Sequence, residues 1–169
     1  GANTAHFGIK ATSGGGGIVV TNSGQLGNAA AGGGEDVAGI YAVSFGASAT
    51  GVTVTNSGAI FLDASGIYGI VAANNGTGLV KVDNSGVVNA AGLFGIFGQG
   101  FGNVNVNTSA NVTGNTGIFV NALGTSATTG KVTVTAGAAV TGTNGNAIGA
   151  TGPNGANLGV DTTAGGAIT

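Results

Sequence analysis

The chain has no cysteine, methionine, tryptophan or arginine, and only one of its 169 residues is proline. Without cysteine it cannot form a disulfide scaffold or a thiolate metal site. Three lysines and no arginine supply no basic patch to neutralise phosphates, which argues against a nucleic-acid partner. No apolar stretch reaches the roughly 18 to 20 residues of a membrane-spanning helix, and no charged start followed by an apolar run marks a signal peptide. We therefore expect no membrane span.

Charge is also scarce, since charged residues make up 5% of the chain and the net charge is −2, whereas glycine supplies 38 residues. Glycine-rich chains are often disordered, but disordered chains are poor in β-branched residues and rich in charge. This chain is 42% hydrophobic and contains many Val, Ile and Thr residues. Collagen is excluded because the glycines do not recur at every third position and proline is nearly absent. The composition predicts an ordered, all-β chain.

The chain contains a repeat, Val-x-Val-x-Asn-Ser-Gly-x-Ile, whose clearest copies have Asn22, Asn56 and Asn84 at the Asn position. Weaker copies have other residues there, namely Thr108, Ala136 and Thr162. Successive copies are 34, 28, 24, 28 and 26 residues apart. A shorter motif, usually Gly-Ile, lies between the copies and begins at Gly39, Gly69, Gly95, Gly117 and Ala147. A two-part motif that recurs at this spacing indicates a repeat architecture.

Within each copy the polarity alternates, as where Val52 and Val54 alternate with Thr53 and Thr55. Such alternation places one set of side chains inward and the other outward along a β-strand. Asn-Ser-Gly is a turn signal, and short coils can bury their apolar faces only by stacking. The sequence therefore predicts one parallel β-solenoid domain over residues 1–169, with about six coils of 24 to 34 residues. It is expected to be right-handed, as parallel crossovers almost always are. Two or three strands per coil both fit the spacing.

Aligning the copies predicts columns of inward side chains along the solenoid axis. Two columns belong to the strand before the turn: Ile18, Val52, Val80, Val104, Val132 and Leu158, and Val20, Val54, Val82, Val106, Val134 and Val160. A third follows the turn and a fourth belongs to the Gly-Ile strand: Leu26, Ile60, Val88, Val112 and Val140, and Ile40, Ile70, Ile96, Ile118 and Ile148. The side-chain amides of Asn22, Asn56 and Asn84 are predicted to hydrogen-bond along the axis. The glycine before each Ile predicts a position where a Cβ would crowd the chain.

If the Gly-Ile isoleucines point inward, then Tyr41, Val71, Phe97 and Phe119 point outward as an apolar stripe over four coils. Two other readings are that a loop covers the stripe or that the phase is wrong by one residue. As an exposed surface, the stripe would be a contact site for another filament, a glycan or a partner protein.

The ordered recurrence of Val-x-Val-x-Asn-Ser-Gly-x-Ile and Gly-Ile, in a Cys-free chain rich in Gly, Ala, Asn and Thr, resembles the passenger repeats of bacterial autotransporters and related haemagglutinin-like adhesins. The resemblance extends from about residue 8 to residue 169. It implies a secreted right-handed β-helix displayed at, or shed from, the surface of a Gram-negative bacterium. The sequence shows neither a signal peptide, which is therefore expected to be absent or already removed, nor the C-terminal translocator barrel of this family, so the resemblance implies a passenger segment only. The family includes adhesins, proteases and aggregation factors, so the resemblance does not define an activity.

The residues available for chemistry are few, and we expect no enzyme, cofactor or metal site. His6 is the single histidine, and Glu35 and Asp36 are adjacent in a long loop. Asp83 and Asp161 share an outward column but lie three coils apart, roughly 14 Å, whereas sugar-cleaving carboxylates lie about 5 to 10 Å apart. The leading hypothesis is a structural segment of an extracellular adhesive fibre. The alternatives are a polysaccharide-acting enzyme scaffold and an ice-binding solenoid, whose threonine array would here be interrupted by charges.

The sequence opens midway through a coil, at the Gly-Ile element of residues 6–11, and closes with residues 158–169, which supply the strand before the turn but no following Gly-Ile element. Joining the end of one copy to the start of another gives a ladder step that lies within the observed range. We therefore expect copies to stack head to tail, with Ile9 and Ile168 buried near the junction. The expected partners are the chain itself and, on a host or neighbouring cell, a surface glycan or protein.

Overall fold

The computed structural model describes residues 6–28, 37–63, 66–124, 130–153, 157–162 and 167–169. Over these residues the chain is all-β, and its strands form three parallel sheets that stack as a β-solenoid of about five turns. The predicted fold class is confirmed, and the number of turns is close to the six coils expected from the repeat. The described residues form no helix, and hence none with the length and apolar character needed to cross a membrane. The handedness of the coil stays a prediction from the crossover rule.

Sheet A contains the strands of the Gly-Ile motif: β1 (Phe7–Ser13), β3 (Ala38–Ser44), β6 (Tyr68–Asn74), β9 (Phe94–Gly100), β12 (Thr116–Ala122) and β15 (Ile148–Thr151). Sheet B contains the strands that precede the turn: β2 (Ile18–Asn22), β4 (Gly51–Asn56), β7 (Leu79–Asn84), β10 (Val104–Thr108), β13 (Val132–Ala136) and β16 (Leu158–Asp161). Sheet C contains the short strands that follow the turn: β5 (Ile60–Phe61), β8 (Val88–Asn89), β11 (Val112–Gly114) and β14 (Val140–Gly142). Isolated bridges add Leu26 and Ile168 at its two ends. Each coil therefore has three strands, which decides between the two alternatives left by the spacing.

The four predicted inward columns form in the predicted register. Ile18 pairs with Val52, and the series continues through each strand of sheet B to Leu158. Ile40 is joined to Ile148 in the same way through sheet A. In the middle coils these side chains have no exposed surface. Because burial of a Val or Ile side chain contributes about 1.5 to 3 kcal/mol, the columns are the main source of stability.

The Gly-Ile motif forms a corner at which two consecutive residues face the interior. A Cβ added to Gly95 would lie 2.5 Å from Val112 Cγ1 and 2.5 Å from the Gly117 carbonyl oxygen. The next residue, Ile96, is fully buried in the same core. The predicted crowding is confirmed, and its cause is the close approach of sheet A to the third column on sheet C. Since both Gly and Ile face inward, the residue before each Gly faces outward.

The Asn column is shorter than the sequence repeat. Thr108 pairs with Ala136 as predicted, but β16 ends at Asp161. Thr162, which the alignment assigned to this column, therefore lies just beyond the last strand of sheet B. The last copy carries two extra residues after the strand, which is where its sequence departs from the repeat.

Candidate functional site

The Asn residues that end β2, β4 and β7 form a hydrogen-bonded ladder along the solenoid axis. Asn22 Nδ2 donates to Asn56 Oδ1 at 2.7 Å, and Asn56 Nδ2 donates to Asn84 Oδ1 at 2.8 Å. Asn84 Nδ2 then donates to Thr108 Oγ1 at 3.0 Å, so the threonine continues the ladder by one coil. The predicted hydrogen bonding between successive Asn residues is confirmed.

Each ladder Asn also closes its own turn, because its Nδ2 donates a second hydrogen bond to the carbonyl oxygen two residues later. These acceptors are Gly24, Gly58 and Gly86, each at 2.8 Å. The Asn side chains are buried, and in the described part of the chain no buried side-chain nitrogen or oxygen atom is left without a partner. The ladder therefore ties each turn to the coil above it, which is a structural role.

A different set of side chains covers the outer face of sheet A. Six aromatic residues there make ring contacts in two groups, one pair and one group of four, and we call them together the aromatic face: Phe7 and Tyr41, and Tyr68, Phe94, Phe97 and Phe119. Phe97 and Phe119 stack with centroids 6.0 Å apart and ring planes at 13°. Tyr68 stacks on Phe94 at 5.8 Å, and Phe7 meets Tyr41 edge to face at 5.3 Å. Such pairs contribute about 0.5 to 1.5 kcal/mol each beyond their buried area.

The predicted outward stripe lies on this face, so the predicted phase is correct, but its members differ in exposure. Tyr41, Phe97 and Phe119 are half-buried, whereas Val71 is only 4% exposed. Val71 is short and stands between two rings of neighbouring coils, so these larger side chains cover it. The stripe hypothesis required Val71 to be an exposed contact residue, and this is wrong. Val71 is instead part of the floor beneath the aromatic rings.

Sequence reasoning missed Phe7, Tyr68 and Phe94 as members of the aromatic face. Simple alternation would turn the residue two before each Ile inward. It faces outward because the Gly-Ile corner places two consecutive residues inside. The signal was present, since an aromatic residue precedes Gly in three of the copies, at Phe7, Tyr68 and Phe94.

A groove of about 420 Å³ opens on the aromatic face, and we call it the aromatic groove. Its lining residues come from β3, β6 and β9 and from the residues that follow β3 and β6: Tyr41, Val43, Phe45, Tyr68, Val71, Ala73, Asn75, Phe97 and Gln99. Val43, Val71 and Ala73 are buried and form a second apolar cluster, separate from the interior of the solenoid. The groove thus has an apolar floor, aromatic walls and two amide side chains at its edge.

A second groove, of about 320 Å³, runs along the outer side of sheet B beside the Asn ladder. Its lining includes Asp83, whose carboxylate makes a 2.6 Å ion pair with Lys81 and accepts a 3.0 Å hydrogen bond from Asn107 Nδ2. Burial alone raises the pKa of the Asp83 carboxyl, but the Lys81 and Asn107 hydrogen bonds and the lysine charge outweigh it, so that pKa lies below its ordinary value. Asp83 is therefore a partnered anion rather than a proton donor at neutral pH.

Among the described residues, the other predicted candidates do not assemble into a reactive site. Asp83 and Asp161 lie in one column, separated by β10 and β13, which is about 14 Å at the usual strand spacing. Glu35 and Asp36 lie outside the described residues. His6 is exposed and precedes β1. Within the described ranges, no group of three or more His, Asp or Glu residues is placed to hold a metal ion.

The last coil exposes apolar side chains that belong to the inward columns. Leu158 is 50% exposed, Val160 48% and Ile168 42%. Their column neighbours one coil earlier, Val132, Val134 and Val140, have no exposed surface. At the other end Ile9 is partly buried against the core. The inward columns thus reach the surface at the end formed by β15 and β16.

Comparison of the chain with protein-family models, curated protein sequences and solved structures finds no match. The functional proposals below therefore depend on the geometry of the ladder, the two grooves and the exposed ends of the columns.

Proposed function

We propose that this chain is a structural segment of an extracellular or cell-surface fibre, and that copies of it stack end to end. The observation that carries the proposal is the exposure of Leu158, Val160 and Ile168 at one end of otherwise buried columns. A further coil in register would continue each column and pair with β16, which in the described part of the chain pairs with β13 alone. A second copy would present β2 to this end, and a further coil of the same repeat would meet it in the same way.

The contact between copies is heterologous, since the end formed by β15 and β16 meets the end formed by β1 and β2. A contact of this kind repeats without closing and produces a filament. Strand pairing supplies hydrogen bonds at such a junction, and the apolar columns supply buried area. Ile9 and Ile168 lie at the two faces that meet.

The proposed location is the outside of a Gram-negative cell, with the chain as the rod of an adhesin and not as an enzyme. The composition supports this location, because a Cys-free chain rich in Gly, Asn and Thr is typical of the passenger repeats that the sequence resembles. The parallel sheets and the columns support the rod, since successive coils pair strand to strand in sheets A and B, and the Asn ladder adds bonds between the first four coils.

Electron microscopy and analytical ultracentrifugation of the purified chain over a range of concentrations test the stacking. We expect rods that lengthen with concentration. Replacing Val160 and Ile168 with Lys should keep the chain monomeric, because charged side chains on a free strand edge oppose pairing. Val87→Lys is the control, since Val87 is 43% exposed in a middle coil, between β7 and β8 and away from both ends. A monomer at every concentration, or rods unaffected by the two lysines, would rule the proposal out.

A further inference from the structure

We infer that the aromatic groove on the outer face of sheet A is a binding site for a neutral saccharide. This site is separate from the ends of the solenoid, and the inference holds whether or not copies of the chain stack. Three features of the groove lead to it: its rigid floor, its uncharged polar groups and the closed backbone of the strands beneath it.

The walls and floor of the groove form without a ligand. Tyr68 and Phe97 are in ring contact at 5.9 Å, and both pack on the buried cluster that contains Val71. Tyr41 packs on the same cluster from the preceding coil. Because the rings are already held in place, a ligand that binds between them loses little free energy to ordering the protein. The groove volume of about 420 Å³ is also within the range of small-molecule sites.

The polar groups of the groove are amides and phenolic hydroxyls. Asn75 and Gln99 line it, and among the described residues neither side-chain amide has a hydrogen-bond partner. An amide presents both donors and an acceptor, as do the hydroxyl groups of a sugar. No lining residue carries a charge at neutral pH. Lys10 stands beside Tyr41 on the same face, but its Nζ lies 4.8 Å over the Phe7 ring, outside the groove lining, so the lining itself offers no charge to pair with a charged ligand.

The backbone beneath the groove has no free hydrogen-bonding edge. β3, β6 and β9 each pair with a strand on both sides, so an extended peptide cannot be added to the sheet there. A ligand in the groove must therefore be bound by the faces of the aromatic rings and by the side-chain amides. The partly negative face of an aromatic ring attracts the C–H groups on the apolar face of a sugar ring, and the hydroxyl groups at the sugar's edge meet the amides. A neutral oligosaccharide combines these two kinds of surface.

The test is an NMR titration of the full chain with maltotriose, cellotriose and chitotriose, each up to about 10 mM, a range that covers millimolar dissociation constants. We expect at least one of them to shift the signals of Tyr41, Tyr68 and Gln99 in a saturable way. Changing both Asn75 and Gln99 to Ala should weaken that binding about tenfold or more, since it removes hydrogen bonds to the sugar. Changing both Asn89 and Asn105 to Ala is the matched control, because it removes two amides that face outward on the other two sheets, outside the groove.

Two comparison ligands separate the saccharide from other occupants. Trigalacturonate tests whether charge is tolerated, and a blocked trialanine peptide tests whether any small apolar molecule enters the groove. We expect both to shift the groove signals less than the best neutral sugar does. The inference is overturned if none of the three neutral sugars shifts these signals, or if the peptide or the acidic sugar binds equally well. It is also overturned if the Asn89 and Asn105 control variant weakens binding as much as the groove amide variant. Circular dichroism of each variant confirms that it is folded, and both amides lie at the groove edge, where their loss leaves the core intact.

Discussion

At the scale of single residues, the Asn ladder works because an amide can donate and accept at the same time. Asn56 accepts from Asn22, donates to Asn84 and closes its own turn at Gly58. Asn22 begins the ladder and has one ladder bond only. A Thr at the fourth position still accepts a bond from Asn84, whereas the Ala that follows ends the series. Position along the axis therefore decides how much each Asn contributes.

We predict that Asn56→Ala lowers the free energy of unfolding more than Asn22→Ala does, by about 1 to 2 kcal/mol. The Asn56 variant leaves a buried donor on Asn22 and a buried acceptor on Asn84 unpaired, whereas the Asn22 variant affects one neighbour. Urea denaturation of both variants and of the unchanged chain measures the difference. Equal losses would contradict the idea that the ladder acts as a coupled series.

The second prediction at this scale concerns the pH dependence of stability near Asp83. The lowered pKa of Asp83 means that the folded state stabilises the ionised carboxylate more than the unfolded chain does. The resulting stability is fully present above the unfolded pKa, about 3.9, and is lost as the pH falls through the lower folded pKa. We expect the free energy of unfolding of Asp83→Asn to fall less than that of the unchanged chain as the pH drops below about 5. At neutral pH the variant should lose less than about 1 kcal/mol, because the ion pair is partly exposed.

Lys81→Gln provides the control for this prediction. It keeps the carboxylate but removes the charge and the ion pair, so the pKa of Asp83 should rise toward its ordinary value. NMR titration of the Asp83 carboxyl carbon measures both pKa values. A pKa at or above 3.8 in the unchanged chain would contradict the proposed balance of burial and bonding.

At the scale of the strands, the structure depends on where alternation holds and where it is interrupted. Sheet B alternates throughout its middle strands, so every second side chain belongs to the core. Sheet A breaks the alternation at each Gly-Ile corner, where the glycine leaves room for the third column. This interruption turns one aromatic residue outward before the glycine and another after the isoleucine, as Phe94 and Phe97 show. The aromatic face therefore results from the corner.

We predict that Gly95→Ala destabilises the chain by about 1 to 3 kcal/mol, the usual cost of overpacking a core. The added methyl group would lie 2.5 Å from both Val112 Cγ1 and the Gly117 carbonyl oxygen. That oxygen belongs to the backbone of β12, so it can move only if the strand moves with it. Gly159→Ala in β16 is the matched control, because the nearest heavy atom there is 3.9 Å away. Thermal melting of both variants is the measurement. Equal melting temperatures for the Gly95 and Gly159 variants would show that the corner can accommodate a methyl group without cost.

At the scale of the whole molecule, stability and assembly have the same origin. Each coil contacts only its neighbours, so a solenoid of this kind grows by adding equivalent layers. Sheets A and B each have six strands. If copies of the chain stack as proposed, fibres should therefore show an axial repeat of about 29 Å, from six layers at about 4.8 Å each. Cryo-electron microscopy of the rods measures this spacing, and a markedly different repeat would mean that the copies do not join in register.

The sequence was sufficient for the parts of the fold that depend on local pattern. Val52 and Val54 alternate with threonines, and Asn56 follows at the turn. The aligned copies therefore predict the position of each strand, the side chains that point inward and the pairing register between coils. Each predicted column is supported by five or six aligned copies, because a wrong register in any one copy would place a polar side chain in an apolar column. The Asn ladder was predictable for the same reason, since identical residues in register must meet along the axis.

The tertiary structure decided how the coil closes on itself and therefore what lies on its outside. The number of strands per coil depends on sheet C, whose named strands have only two or three residues and little periodicity to detect. The aromatic groove depends on the Gly-Ile corner, where packing against Val88 and Val112 overrides alternation and brings Tyr68 beside Phe97. Local pattern specifies which side chains avoid water, but only the three-dimensional closure determines which outward side chains from different coils become neighbours.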